Sequence, residues 1–144
     1  MSFQWLQMRI EEEAERRQRE AQILARLPVT LAELHGDLAG CIENYTRAFG
    51  SEAATIELLP ETIRVTVHEQ RDGKWPEVSR VEVFVAPTVP GFQIDRGDLS
   101  MAIEVGFLPG DKVFYRDREQ DKYLTMEELT RRILDRALFP KLPE

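Results

Sequence analysis

The chain has 144 residues, of which 42% are apolar and 31% charged, with a net charge of −7. That size fits one ordinary domain, and the composition suits a packed core better than disorder. No apolar run is long enough for a membrane-spanning helix, and the opening Met-Ser-Phe-Gln-Trp-Leu-Gln lacks the basic start of a secretory signal.

The charge is unevenly placed. Residues 1–28 hold five Arg and five Glu, residues 115–144 hold seven basic and seven acidic residues, and 29–114 hold 7 basic against 14 acidic. The acidic middle disfavours nucleic acid and anionic lipid as partners. The single cysteine, Cys41, excludes an internal disulfide and a Cys-based zinc cage. It falls among core positions of a helix and reads as a structural thiol in a cytoplasmic protein.

Residues 2–27 read as a helix capped by Ser2 and closed by Pro28. Its centre is polar and calls for Glu12–Arg16, Glu13–Arg17 and Glu15–Arg19 pairs. Phe3, Ile10, Ala14, Ala21 and Leu24 form a stripe broken by Gln7 and Arg17. Phe3, Trp5, Leu6, Met8 and Ile10 crowd the first ten residues, so this segment is expected to dock on its own sheet or on a second copy.

A second helix is expected from Thr30 to Gly50. Thr30 and Glu33 match a capping box, and Val29 with Leu34 a hydrophobic staple. Leu31, Leu34, Leu38, Cys41, Ile42, Tyr45 and Phe49 are its expected buried stripe. The ridge Ala32, Gly36, Gly40, Asn44, Ala48 suggests close approach to Ala14 and Ala21 in a helical hairpin.

From residue 54 to 115 the apolar period becomes two, the mark of a half-buried antiparallel sheet. A Pro60-Glu61 turn pairs Leu58 with Ile63 and Ile56 with Val65. At Asp72-Gly73 the faces match only if Val65 meets Val81, which requires a three-residue loop with left-handed Gly73 or a bulge near Pro76. Pairing Ile94 with Leu99 and Phe92 with Met101 keeps all four inward. Pro87 and Pro90 loosen the link between the third and fourth strands, and Pro109-Gly110 makes the last turn. A final helix starts at the Thr125/Glu128 capping box, with Glu127–Arg131 and Glu128–Arg132 pairs expected on its wet side.

Asp117 to Glu128 resembles an EF-hand calcium loop over 12 residues. Asp117, Glu119 and Asp121 stand at its first, third and fifth ligand positions and Glu128 at its twelfth. Lys122 replaces the loop's turn-making glycine, and the preceding segment reads as strand. A polar turn into a capped helix is the reading expected, with no metal and no cofactor assigned. His35 has no ligand-type neighbours at helical spacing, and His68 is expected on the polar sheet face near Arg64, Thr66, Arg80 and Glu82. His68 with Glu82 or Glu104 is the one hint of an acid–base pair. Arg96-Gly97-Asp98 reads as hairpin chemistry, and Trp75 as a strand-end aromatic.

These elements predict one α+β domain: an N-terminal helical hairpin, a five- or six-stranded antiparallel meander, and a C-terminal helix on the apolar sheet face. The order of elements is similar to the helix-grip fold of lipid- and hormone-binding proteins minus its first strand. It is also loosely similar to the small acidic chaperones of bacterial secretion systems, in neither case through matching motif residues. The functional expectation is a non-enzymatic interaction module acting as a homodimer. The alternative is a carrier of small apolar ligands with a cavity between sheet and C-terminal helix.

Overall fold

The computed structural model describes residues 3–87 and 90–143. A single helix, α1 (Gln4–Phe49), precedes seven strands: β1 (Ala54–Leu59), β2 (Thr62–His68), β3 (Glu77–Ala86), β4 (Gly91–Asp95), β5 (Ser100–Leu108), β6 (Lys112–Asp117) and β7 (Lys122–Leu124). Helix α2 (Met126–Leu138) follows. Each strand pairs antiparallel with the next, giving one seven-stranded meander. The architecture is α+β, with seven strands where five or six were expected.

The helical hairpin does not form. Helix α1 runs unbroken for 46 residues through Pro28. Thr30 is buried and donates its hydroxyl to the Arg26 carbonyl at 3.1 Å, so it cannot cap. The cause is burial across the expected break. Leu27, Leu31, Leu34, Leu38 and Ile42 all sit on the sheet at 5% exposure or less. Each contributes about 1.5–3 kcal/mol, which outweighs the roughly 3 kcal/mol cost of a proline in a helix. Gly36 and Gly40 consequently meet nothing: a Cβ on either would have no neighbour within 4 Å. The Ser2 cap falls outside the described residues.

Both helices cover the same sheet face. The core joins the α1 leucines to Ile63, Val65, Val67, Val81, Val83, Phe92, Ile94, Ile103, Val105 and Tyr115, and to Leu129, Ile133 and Leu134 of α2. Ile56 pairs with Val65 and Leu58 with Ile63, as the Pro60-Glu61 turn requires. Val65 meets Val81 and Arg64 meets Glu82. The bulge, not a three-residue loop, delivers that register. Asp72 and Gly73 form a two-residue turn with φ of 53° and 76° inside an Arg71–Lys74 bridge. The extra residue is Val78, because Val67 faces Ser79 while His68 faces Glu77.

One register and several exposures differ from expectation. Phe92 pairs with Ile103 and Ile94 with Met101. The turn is therefore longer, closed by Arg96 N–H to the Leu99 carbonyl at 2.9 Å, and Leu99 is left exposed. The shift preserves parity, so the faces survive. Phe49 and Leu58, at the ends of their elements, are also exposed. The seventh strand lies within the calcium-loop-like segment. Asp117 pairs with Lys122 and Tyr115 with Leu124 across a hairpin. Helix α2 starts at the expected box: Thr125 Oγ1 accepts from Glu128 N–H at 3.1 Å, and Thr125 N–H donates back to Glu128 Oε1 at 3.3 Å. Its charged side chains pair differently from expectation, Arg131 with Asp135 and Arg132 with Asp117.

Candidate functional site

Two features stand apart from the packed core: a helical arm and a pocket at the opposite end of α1. The arm is the part of α1 before Ile23. Its side chains are exposed apart from partly covered Glu13 and Glu20. Ile23 and Leu24 begin the packing on the core. At the arm's base the Arg26 guanidinium lies 3.7 Å from the centre of the Phe107 ring and 3.3 Å from Asp111 Oδ1. That pair of contacts fixes where the helix leaves the body.

Phe3, Trp5, Leu6, Met8 and Ile10 are 60, 66, 43, 59 and 52% exposed. At 100° per residue, Phe3, Leu6 and Ile10 share one side, and Trp5 and Met8 lie on the other. The tip thus carries large apolar side chains on two opposite sides, with Gln4, Gln7 and Arg9 between them. Further along, charge holds the helix. Arg16 bonds Glu13 and Glu20, Arg17 bonds Glu13 at 3.0 Å, and Arg9 bonds Glu12 at 2.9 Å. Of the three expected pairs only Glu13–Arg17 forms among the described residues, because Arg16 reaches Glu13 and Glu20 in place of Glu12. Arg16 first, then Arg17, holds the Glu13 carboxyl down at about 2.

The pocket has a volume of about 410 Å³. Its walls are Tyr45 and Phe49 from the end of α1, Val67, His68 and Val78 around the bulge, Trp75 from the hairpin, and Leu138 to Leu142 beyond α2. Tyr45 organises the aromatic wall, 4.9 Å from the Phe49 ring and 5.7 Å from the Phe139 ring. Its hydroxyl donates to the Leu138 carbonyl at 3.3 Å. Burial first, then the nearby Glu69 charge, raises the Tyr45 phenol above its ordinary value. On the rim Lys141 Nζ donates to both Glu69 oxygens, at 3.0 and 3.1 Å. Lys141 above all, and Arg71 more weakly, holds the Glu69 carboxyl below its usual range.

His68 lines this pocket just beyond the Val78 bulge, and its Nδ1 lies 3.0 Å from the Trp75 carbonyl oxygen. The acid–base hint therefore dissolves. Glu82 lies 3.8 Å from Arg64, and Glu104 faces Arg116 and Arg118. Trp75 is half-buried and its ring lies against Gly50.

The calcium-loop-like carboxylates are spread over a hairpin and a helix start. Asp117 is buried. Its Oδ1 accepts from the N–H groups of Glu119 and Gln120 at 3.0 and 3.2 Å, and its Oδ2 meets Arg132. Burial pushes the Asp117 carboxyl up, but Arg132 and the two N–H groups together outweigh it and hold the group below its ordinary value. Asp121 pairs with Arg116. Glu128 pairs with Lys122 at 2.7 Å, and that lysine first, then Thr125, lowers its carboxyl. Glu119 is exposed. The strand pairing of Asp117 with Lys122 turns the segment into a hairpin and gives each of Asp117, Asp121 and Glu128 its own cation. Arg96 and Asp98 bond each other at 3.1 Å across the Gly97 turn. Cys41 is a free, partly buried thiol beside the core.

The sequence pointed to the first ten residues and, in the alternative reading, to a cavity between sheet and C-terminal helix, but not to the residues that line this pocket. Its signal was available as four aromatics near element ends: Tyr45, Phe49, Trp75 and Phe139. No helix among the described residues is long and apolar enough to cross a membrane. The chain matches no protein-family model, no curated protein and no solved structure.

Proposed function

We propose that this chain is a non-enzymatic interaction module that acts as a homodimer through the arm of α1. The observation that carries the reading is the exposure of Phe3, Trp5, Leu6, Met8 and Ile10 around a helix tip that packs on none of the described residues of its own body. The arm's stripe is also self-complementary. In an antiparallel pair centred on residue 12, Phe3 meets Ala21, Ile10 meets Ala14, and the two polar breaks, Gln7 and Arg17, meet each other. Bulky residues then face small ones, and one patch serves both copies, as a two-fold interface requires. Trp5 and Met8 remain on the outer side, where both residue types suit contact with a further protein. A cytoplasmic setting agrees with the free Cys41. The acidic middle of the chain argues against nucleic acid and anionic lipid as partners.

Light scattering at micromolar concentration tests this reading. The full chain should run as a dimer, and a form lacking residues 1–12 should run as a monomer. A full-length monomer ends the proposal. So does a dimer that survives Ile10→Glu combined with Phe3→Glu.

A second reading, a carrier of small apolar ligands, is favoured by the aromatic pocket of about 410 Å³. That volume lies within the range of small-molecule sites, roughly 300–1,000 Å³. The pocket lies between β2–β3 and the end of α2, at one edge of the core.

A further inference from the structure

The pocket contains a feature that selects among ligands. His68 Nδ1 faces the Trp75 carbonyl at 3.0 Å. A carbonyl oxygen only accepts, so Nδ1 carries the proton. In the neutral ring Nε2 then bears a lone pair, and among the described residues it has no hydrogen-bond partner. The charged groups on the rim, Glu69 and Lys141, are spent on each other. The Tyr45 hydroxyl is already donating to Leu138. An ionised ligand group entering here would lose water without finding a free counter-charge.

We infer that the pocket takes a small, uncharged, mostly aromatic or aliphatic molecule bearing one hydroxyl or N–H donor. The body of the ligand lies among Tyr45, Phe49, Trp75 and Phe139, and its donor bonds His68 Nε2. This rests on the carrier reading above and adds the ligand class to it.

Two naphthalenes of similar shape separate the claims: 2-naphthol, which has a donor, and 2-methoxynaphthalene, which has none. Full-length Trp5→Phe protein leaves Trp75 as the sole indole reporter at the pocket. The titrations are run near pH 8. Saturable change in Trp75 emission is expected for both probes, with 2-naphthol about tenfold tighter, the worth of one hydrogen bond. His68→Phe should erase that difference while retaining weak binding. Val78→Phe, which narrows the pocket, should weaken both probes. Equal affinities in the unsubstituted pocket would overturn the donor inference and leave the carrier reading standing. A tenfold preference that persists in His68→Phe would overturn it as well. Absence of saturable binding by either probe at millimolar concentration would overturn the inference and the carrier reading together.

Discussion

The eight glycines of this chain answer to different demands. A Cβ at Gly91 would stand 2.0 Å from the Ile103 carbonyl oxygen and 3.0 Å from the Glu104 Cα. Both are backbone atoms of the paired strand β5, and neither can swing aside. Gly91→Ala should therefore destabilise the fold by about 3 kcal/mol, the upper end of overpacking costs. Gly36, on the wet side of α1, has open space above it. Gly36→Ala should stabilise by about 0.5–1 kcal/mol through helix propensity alone. Urea unfolding of the two variants checks both signs, and a destabilised Gly36→Ala would mean that something packs on that face. Asp117 supplies a second test. Its carboxylate is buried under Arg132 and two N–H donors, and its titration is depressed. A depressed carboxyl stabilises the fold fully above its unfolded value, and the stabilisation is lost as pH falls through the folded one. Asp117→Asn should cost about 2 kcal/mol at neutral pH, the worth of a charge-assisted bond. The gap should close as pH drops below the ordinary aspartate range. A gap that is constant with pH would show that the ionised form contributes nothing.

At the scale of elements, local signals and tertiary burial compete, and the outcome differs by segment. Strands were legible because their alternation has one consistent solution: only one register at Asp72-Gly73 leaves Val65, Val81, Ile63 and Val83 on a common face. The break at Pro28 was misread because Thr30, Glu33 and Pro28 are strong local signals. The leucines that overrule them act only once a sheet lies beneath. Strand β7 was hidden because three residues, with Leu124 alone buried, carry too little pattern to register as a strand. The pocket's walls were illegible for a related reason: they gather residues from the end of α1, the β2–β3 hairpin and the segment after α2, which no local pattern brings together. Helix α1 yields its own prediction. Pro28 is exposed and interrupts one backbone bond, to the Leu24 carbonyl, in a helix held by its buried stripe. Pro28→Ala should keep the fold and raise stability by about 1–3 kcal/mol, read by thermal melting with circular dichroism. A loss of stability would show that the proline sets a bend the packing needs.

The whole molecule joins two parts with different sources of stability. The body has one core, in which α1 from Leu27 onward, the seven strands and α2 bury each other. Among the described residues the arm has its charge pairs and the continuity of its helix. Most helical stability in proteins comes from packing on a body rather than from propensity, so the arm depends on growing out of a helix that the body has already nucleated and, in the proposed dimer, on its partner. This division predicts unfolding in two stages. In the first, the arms separate and fray, removing roughly a third of the helical signal at 222 nm, in proportion to the arm's share of α1 and α2. In the proposed dimer that stage releases two chains, so its midpoint should rise with protein concentration by mass action. In the second, the body melts cooperatively, followed by the near-ultraviolet signal of its buried aromatics. That midpoint should not move with concentration, since each body is complete without its neighbour. Removing residues 1–12 should abolish the concentration dependence of the first stage and leave the second unchanged. If both probes instead trace one coincident transition that shifts with concentration, the arm and body form a single cooperative unit, and the dimer contact must reach the sheet itself.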